Sequence, residues 1–131
     1  RDMTDAYNLS DIITFRNTVS FEDLNSFYRG SDIFLLMSEH EGFCVPVLEA
    51  QYHRLPVIAL ERSAVTNTVG DNQITFKEPD YRLFASAIRT VVQNKIFRYY
   101  LTDEGYKNYL KYEESVLCEK LLKIIREYIN G

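Results

Sequence analysis

Short, uninterrupted apolar runs alternate along this chain with longer stretches of helical periodicity. The clearest runs cover residues 33–37 and 55–60, and both are too continuous for a strand that has one solvated face. A weaker run covers 73–76, and a β-branched run covers 12–15. Strands that are buried on both faces and separated by helices are typical of parallel sheets. The pattern therefore predicts an α/β layer fold with a parallel sheet and flanking helices.

The stretches between these runs carry the signals of helices. Ser20 begins a segment like a capping box, Pro46 suits the first turn of a helix, and Asp80 is a good N-cap. Gly30 is expected to end the first of these helices in a left-handed conformation. The predicted helices cover 20–28, 45–52, 80–92, 96–110 and 115–129. Apolar residues recur at helical spacing in the first, third and last of these.

Composition places the chain among ordinary globular domains. Of its 131 residues, 46 % are hydrophobic and 26 % are charged, and no repeat or linker divides them, so a single domain is predicted over 1–131. The formal charge of −4 lacks the basic footprint of a nucleic-acid-binding protein. No apolar run approaches the roughly 20 residues that span a bilayer. Cys44 and Cys118 are too few for a disulfide framework, which predicts a reduced, cytoplasmic setting in which both are small buried groups.

The loop at 38–44 joins a buried strand to a helix and is the stretch that carries chemistry. Ligands of parallel α/β sheets lie beyond the carboxyl ends of the strands, where unpaired N–H groups of a helix start suit a phosphate. Glu49 lies about one turn inside the helix, where its carboxylate matches adjacent hydroxyls such as those of ribose. Glu41 is placed to accept hydroxyls at the other end of such a ligand. A nucleotide sugar fits this order, as one assignment among several.

Seven residues separate Glu41 from Glu49, and this spacing resembles the E-x7-E signature of retaining glycosyltransferases with the GT-B fold, in the large group-1 family. The resemblance covers nearly the whole chain in the right order. It implies a Rossmann-like sheet that is part of the C-terminal domain of a GT-B fold. The segments that carry it are 15–28, 31–35, 41–50, 55–59, 69–71 and, ahead of the last helix, 112–113.

The resemblance also implies a function and roles for single residues. It implies the nucleotide-sugar-binding half of a hexosyltransferase-type enzyme that transfers a sugar from a nucleoside diphosphate to an acceptor. Glu41 is then a catalytic residue near the donor sugar, and Glu49 binds the ribose. The other donor-binding positions that it implies are Gly42, Phe43, Cys44, Val45, Asn17 and Thr18. No metal or other cofactor is expected, because the histidines and cysteines fit no standard zinc-ligand spacing.

The sequence also departs from the family pattern. The resemblance places an Arg and a Lys after the first strand of this half, and no such pattern precedes residue 12. Two strands and the acceptor-binding N-terminal half are therefore expected outside this chain, which alone should lack turnover. The strand at 12–15 is then expected to re-pair, to swap into a homo-oligomer, or to remain outside the sheet. Arg54 stands where a small residue is common and is expected to need a turn conformation that glycine takes freely.

Two other functions stay open at this point. One is a non-catalytic glycosyltransferase-like module that binds a partner, and the other is an unrelated nucleotide-binding α/β domain of the response-regulator type. The apolar stripe of the last helix, at 115–129, is expected either to pack on the domain's own sheet or to be exposed. A peripheral position at the inner membrane surface is left open for the full-length protein.

Overall fold

The computed structural model describes residues 2–62 and 64–130. Three short parallel strands form one sheet in the order β1 (Phe34–Leu36), β2 (Val57–Leu60) and β3 (Ile74–Phe76). Leu35 pairs with Ile58 in the register of β1 and β2. All four residues of β2 are buried, as expected for the central strand of a sheet that is covered on both faces. The predicted α/β fold with a Rossmann-like parallel sheet is confirmed.

Seven helices accompany the sheet in the described residues. They are α1 (Asp2–Ala6), α2 (Phe21–Gly30), α3 (Val45–Tyr52), α4 (Val65–Val69), α5 (Tyr81–Gln93), α6 (Lys95–Leu110) and α7 (Glu114–Asn130). Ser20 and Asp80 cap α2 and α5 as predicted, because their side-chain oxygens accept backbone N–H groups of the first turn. The sequence analysis missed α1 and α4, since helices of five residues are too short to show a periodic stripe.

Two apolar clusters cover opposite faces of the sheet. Successive residues of β2 point to alternate faces, so Val57 and Ala59 belong to one cluster while Ile58 and Leu60 belong to the other. The first cluster packs α2, α3 and α4 onto the sheet through Tyr28, Val47, Ala50, Val65 and Val69. The second packs α5 and α6 onto the opposite face through Phe84, Val91 and Leu101. The sheet is thereby a middle layer between helices.

The prediction of a strand at 12–15 is wrong. These residues lie outside the sheet, and Ile12, Ile13 and Phe15 are exposed. The N–H groups of Ile12 and Ile13 donate to the Leu9 carbonyl in a turn. A β-branched run forms a strand only where a neighbouring strand completes its hydrogen bonds, and none lies beside this segment in the described residues. Of the three outcomes expected for this segment, the structure shows that it remains outside the sheet.

The sequence predicts left-handed backbone at Gly30 and Arg54, and the structure shows it at Arg54 but not at Gly30. Gly30 is the last residue of α2, and Ser31 ends the helix in an extended conformation with its hydroxyl donating to the Phe27 carbonyl at 2.7 Å. This bond satisfies an orphan carbonyl without a left-handed glycine. Cys44 and Arg54 have φ of 59° and 58° instead. The turn conformation expected of Arg54 is therefore confirmed.

The last helix is exposed along nearly all of its described length, where only Val116 is half-buried. None of its described side chains is buried, and Leu121 and Ile124 are 57 % and 62 % exposed. The second of the two expectations for this stripe is therefore confirmed. Cys118 is exposed on the same helix, so the prediction that both cysteines are buried holds for Cys44 alone. None of the described helices has the length and apolarity that crossing a membrane requires.

Candidate functional site

The loop at 38–44 leaves the carboxyl end of β1 and leads into α3, whose N-terminus carries no side-chain cap. Cys44 is the N-cap residue, in the left-handed conformation, and its thiol makes no capping hydrogen bond. Pro46 lacks an N–H group, and the Val47 N–H donates to the Cys44 carbonyl at 3.0 Å. Val45 is half exposed at the first helical position. Because Pro46 has no N–H group and the Val47 N–H is already bonded, the first turn offers an anion its positive end and the Val45 N–H group.

Two contacts from distant segments hold this loop in place. Thr68, which is buried on α4, donates its hydroxyl to the Phe43 carbonyl at 2.6 Å. The half-exposed Phe43 ring packs edge-on against Tyr112, with 5.5 Å between ring centroids. Gly42 directly precedes Phe43, and apart from its two chain neighbours no heavy atom lies within 4 Å of where its Cβ would stand. The backbone of the loop is thus fixed while the space beside Gly42 stays open.

Glu49 is oriented by a buried tyrosine of α2. The Tyr28 hydroxyl donates to the Oε2 atom of Glu49 at 2.9 Å, and Tyr28 is only 8 % exposed. Burial and, after it, the hydrogen bond to Glu49 raise the pKa of Tyr28 above its usual range. The hydroxyl therefore stays protonated and remains a donor. The Oε1 atom of Glu49 has no hydrogen-bond partner among the described residues and is available to a ligand.

Glu41 lies close to the Cys44 thiol. Burial, and next the negative charge of Glu41, raise the pKa of that thiol. Cys44 is therefore protonated at neutral pH and is a small apolar group rather than a nucleophile. Glu41 itself is half-buried. Of the predicted positions, the structure brings Glu41, Gly42, Phe43, Cys44, Val45 and Glu49 to one end of α3.

Asn17 and Thr18 are not joined to this group. Both are exposed in the connection that precedes α2. Within the described residues, no hydrogen bond, ion pair or ring contact links either of them to the loop or to α3. Their segment follows residues 12–15, which lie outside the sheet, so no strand end carries them to the site. Their role in binding a nucleobase stays a prediction.

The comparisons with known proteins decide the family. The family model of glycosyl transferases group 1 matches residues 1–108. The chain belongs to this family. The match excludes a response-regulator-like domain, one of the two other functions that the sequence alone leaves open.

Two solved structures resemble the fold of this group 1 domain. The C-terminal domain of a glycosyl transferase group 1 family protein from Francisella tularensis has a TM-score of 0.70 and 24 % identity. A sucrose-phosphate synthase from Thermosynechococcus elongatus has a TM-score of 0.79 and 20 % identity. The matches cover 82 % and 98 % of this chain but 56 % and 33 % of those chains. No curated protein sequence matches this one.

A buried polar network, which the sequence analysis did not find, fixes α3 in the group 1 domain. Gln51 is fully buried, and its Nε2 atom donates to the Val69 carbonyl at 2.8 Å. Asn108 of α6 donates to the Gln51 Oε1 atom and to the Thr68 carbonyl, both at 2.9 Å. The helix that carries Glu49 is thereby tied to α4 and α6. No local pattern indicates such a network, because its members are far apart in the sequence.

The sequence analysis also missed the roles of Tyr28 and Thr68, which fix Glu49 and the loop from other helices. Arg62 lies just after β2, at the same edge of the sheet as the loop. The Arg62 guanidinium donates to the Lys77 carbonyl and lies 3.9 Å from a Glu78 oxygen. Within the described residues, no three His, Cys, Asp or Glu side chains are grouped closely enough to hold a metal ion.

Proposed function

We propose that this group 1 domain binds the nucleoside-diphosphate-sugar donor of a retaining glycosyltransferase, at the loop 38–44 and the first turn of α3. The carboxylate of Glu49 is the observation that carries the proposal. It stands one turn inside an uncapped helix N-terminus, with Oε2 fixed by Tyr28 and Oε1 without a partner in the described chain. The carboxylate is a negatively charged hydrogen-bond acceptor, and it lies beside a helix end that favours anions. This pair suits a ligand in which a phosphate is joined to a group with two adjacent hydroxyls.

Each part of the donor then has its own contact. The ribose hydroxyls donate to Glu49, and the diphosphate lies against the N–H groups between Gly42 and Val45. The open space beside Gly42 allows the phosphate to approach the backbone closely. Glu41 accepts hydroxyls of the sugar. Asn17 and Thr18 remain the proposed neighbours of the nucleobase, through their backbone.

The same geometry supports sugar transfer in the longer protein. When the bond between the sugar's anomeric carbon and the diphosphate oxygen breaks, negative charge grows on the diphosphate. The oriented N–H groups between Gly42 and Val45 stabilise this charge without reorganising, which is the form of catalysis that usually contributes most. The acceptor is held by an N-terminal half outside this chain, and the new bond forms on the same face of the sugar. This domain alone binds the donor and does not turn it over.

Exchanging Glu49 for glutamine tests the donor site. We expect one of UDP-glucose, GDP-glucose and ADP-glucose to raise the melting temperature of the chain, since a ligand that binds only the folded state stabilises it. Glu49→Gln should weaken that ligand roughly ten- to hundredfold, because a hydrogen bond to a charged group contributes about 1.5–3 kcal/mol. The measurement is a titration followed by thermal shift.

Glu114→Gln is the matched control, because Glu114 is an exposed carboxylate in the first turn of α7. This variant should bind the nucleotide sugar like the unchanged chain. Binding that Glu49→Gln leaves intact would contradict the proposal. The absence of a shift from all three sugars would also contradict it and favour the non-catalytic, partner-binding module.

Tyr28 is expected to act as a positioning residue for Glu49. Tyr28→Phe removes the hydroxyl and frees the carboxylate to rotate, so the dissociation constant of the donor should rise about two- to tenfold. Tyr52→Phe is the control, because Tyr52 contributes only ring contacts, to His53 and Tyr109. In the double variant with Glu49→Gln, the Tyr28 change should have no further effect on affinity. Additive effects of the two changes would show that Tyr28 acts independently of Glu49.

A further inference from the structure

A hollow of about 490 Å³ lies between the turn at 53–54 and the first two turns of α6. This volume falls within the range of about 300–1,000 Å³ that small-molecule sites occupy. Its lining is unusual for an acidic chain, since three of the five side chains are cationic. The lining residues are Arg54, Lys95, Arg98, Tyr99 and Thr102.

The positive charge of this hollow is only partly compensated. Arg98 pairs with Asp32 at 2.7 Å, whereas Arg54 and Lys95 have no acidic partner in residues 2–62 and 64–130. Lys95 also begins α6, and no acidic residue occupies the first turn of that helix. A helix N-terminus favours negative charge, so a cation there adds to the positive potential instead of balancing it. A bound anion would compensate both the charge of Lys95 and the positive end of α6.

Arg54 is held in position at a conformational cost. Its φ of 58° lies in the left-handed region, which a residue with a side chain takes at a cost of about 1–3 kcal/mol. Its guanidinium lies 4.0 Å from the centre of the Tyr106 ring, a cation–π contact that orients the planar fork. Glycine would take this backbone conformation more easily, so the arginine side chain is present at this position in spite of the conformational cost.

The α6 contribution comes from a single face of that helix. Lys95, Arg98, Tyr99 and Thr102 follow the spacing i, i+3, i+4 and i+7, which places them side by side. Thr102 lines the hollow, and because its hydroxyl donates to the Tyr99 carbonyl at 2.8 Å, its oxygen can only accept from a ligand. Cations and a hydroxyl acceptor together suit a phosphate whose ester group carries hydroxyls.

This hollow is separate from the proposed donor site. Arg54 comes just before β2, and Asp32 comes just before β1, so both lie at the amino ends of the parallel strands. The loop at 38–44 follows β1 at the carboxyl end. The two locations are on opposite edges of the sheet, at least a strand length of about 10 Å apart.

We propose that the hollow binds a phosphate monoester, with the guanidinium of Arg54 and the ammonium of Lys95 holding the phosphate oxygens. Arginine offers a planar pair of N–H donors and lysine a compact charge, and both recognise phosphate. The phosphate belongs either to a small soluble ester or to the headgroup of an anionic lipid at a membrane surface. This site is additional to donor binding and does not depend on it.

The test is a titration followed by backbone amide NMR, with glycerol 3-phosphate as the soluble probe. A parallel co-sedimentation uses phosphatidylcholine vesicles with and without phosphatidic acid. Arg54→Gly and Lys95→Gln each remove one cation, and the first also relieves the left-handed backbone, so both variants should fold. Arg82→Gln is the control. Arg82 is exposed near the start of α5, whereas Lys95 follows the end of that helix.

The expected result is chemical-shift changes at residue 54 and at 95–102, with affinity reduced at least tenfold in both variants and unchanged in the control. Binding to phosphatidic acid vesicles alone, with the same dependence on the two residues, also supports the site and identifies the lipid headgroup as the source. Shift changes confined to 42–47, equal weakening in Arg82→Gln, or no binding of either probe would overturn the proposal.

Discussion

Gly70→Ala is expected to destabilise the domain by about 2–6 kcal/mol, a large share of the stability of a domain of this size. Gly70 has φ 78° and ψ 172°, a region that only glycine takes readily. An added Cβ would stand 2.7 Å from the Cγ and Oδ1 atoms of Asn108. Asn108 cannot move aside without breaking its hydrogen bonds to Gln51 and Thr68, so backbone strain and collision act together.

Chemical denaturation followed by circular dichroism measures this loss. Two other glycine variants are controls, because an added Cβ at Gly30 or Gly42 would have no heavy atom within 4 Å other than those of its chain neighbours and, at Gly30, of its own helix backbone. Neither residue has a positive φ. Their alanine variants should unfold within about 1 kcal/mol of the unchanged chain. If Gly70→Ala is as stable as these two variants, the strain and the collision argued for Gly70 are contradicted.

Gln51→Leu is expected to destabilise the domain by about 2–5 kcal/mol, because it removes the centre of the buried polar network. The Val69 carbonyl and the Asn108 amide would each lose a partner in a place that water does not reach. A buried polar group left without a hydrogen bond costs about 1–3 kcal/mol. Gln51 is also on α3, so the change should loosen the helix that carries Glu49.

The free energy of unfolding and the affinity for the nucleotide sugar are both measured on this variant. Gln93→Leu is the matched control, since Gln93 is exposed at the end of α5 and the same exchange there should change stability by less than about 0.5 kcal/mol. A Gln51→Leu variant with the stability of the control would show that the network does not hold α3 in place.

Most of the secondary structure could be predicted from the sequence, because its signals are local. The apolar run at 55–60 contains β2, and no end of the predicted helices 96–110 and 115–129 differs from that of α6 or α7 by more than one residue. An apolar stripe or an N-cap acts within a few residues, whatever the rest of the chain does. The E-x7-E spacing likewise lies within one loop and the turns that follow it.

The strand predicted at 12–15 shows where local signals end. Its β-branched residues match a strand, but a strand also needs a neighbour, and the sheet of the described residues offers none beside it. The same limit applies to Gly30, where the Ser31 hydroxyl bonded to the Phe27 carbonyl ends the helix instead of a left-handed glycine. The lack of a neighbouring strand decided the conformation at 12–15, and the Ser31 hydrogen bond decided it at the end of α2.

The sequence by itself determined the α/β class, the family and the carboxylates at one end of α3. Only the tertiary structure decided that Tyr28 orients Glu49, that Thr68 fixes the Phe43 carbonyl, and that Arg54 meets the first turns of α6. The physical reason is the range of the interactions. Periodicity and capping depend on neighbours in the chain, whereas a buried hydrogen bond or a cationic hollow depends on residues that folding alone brings together.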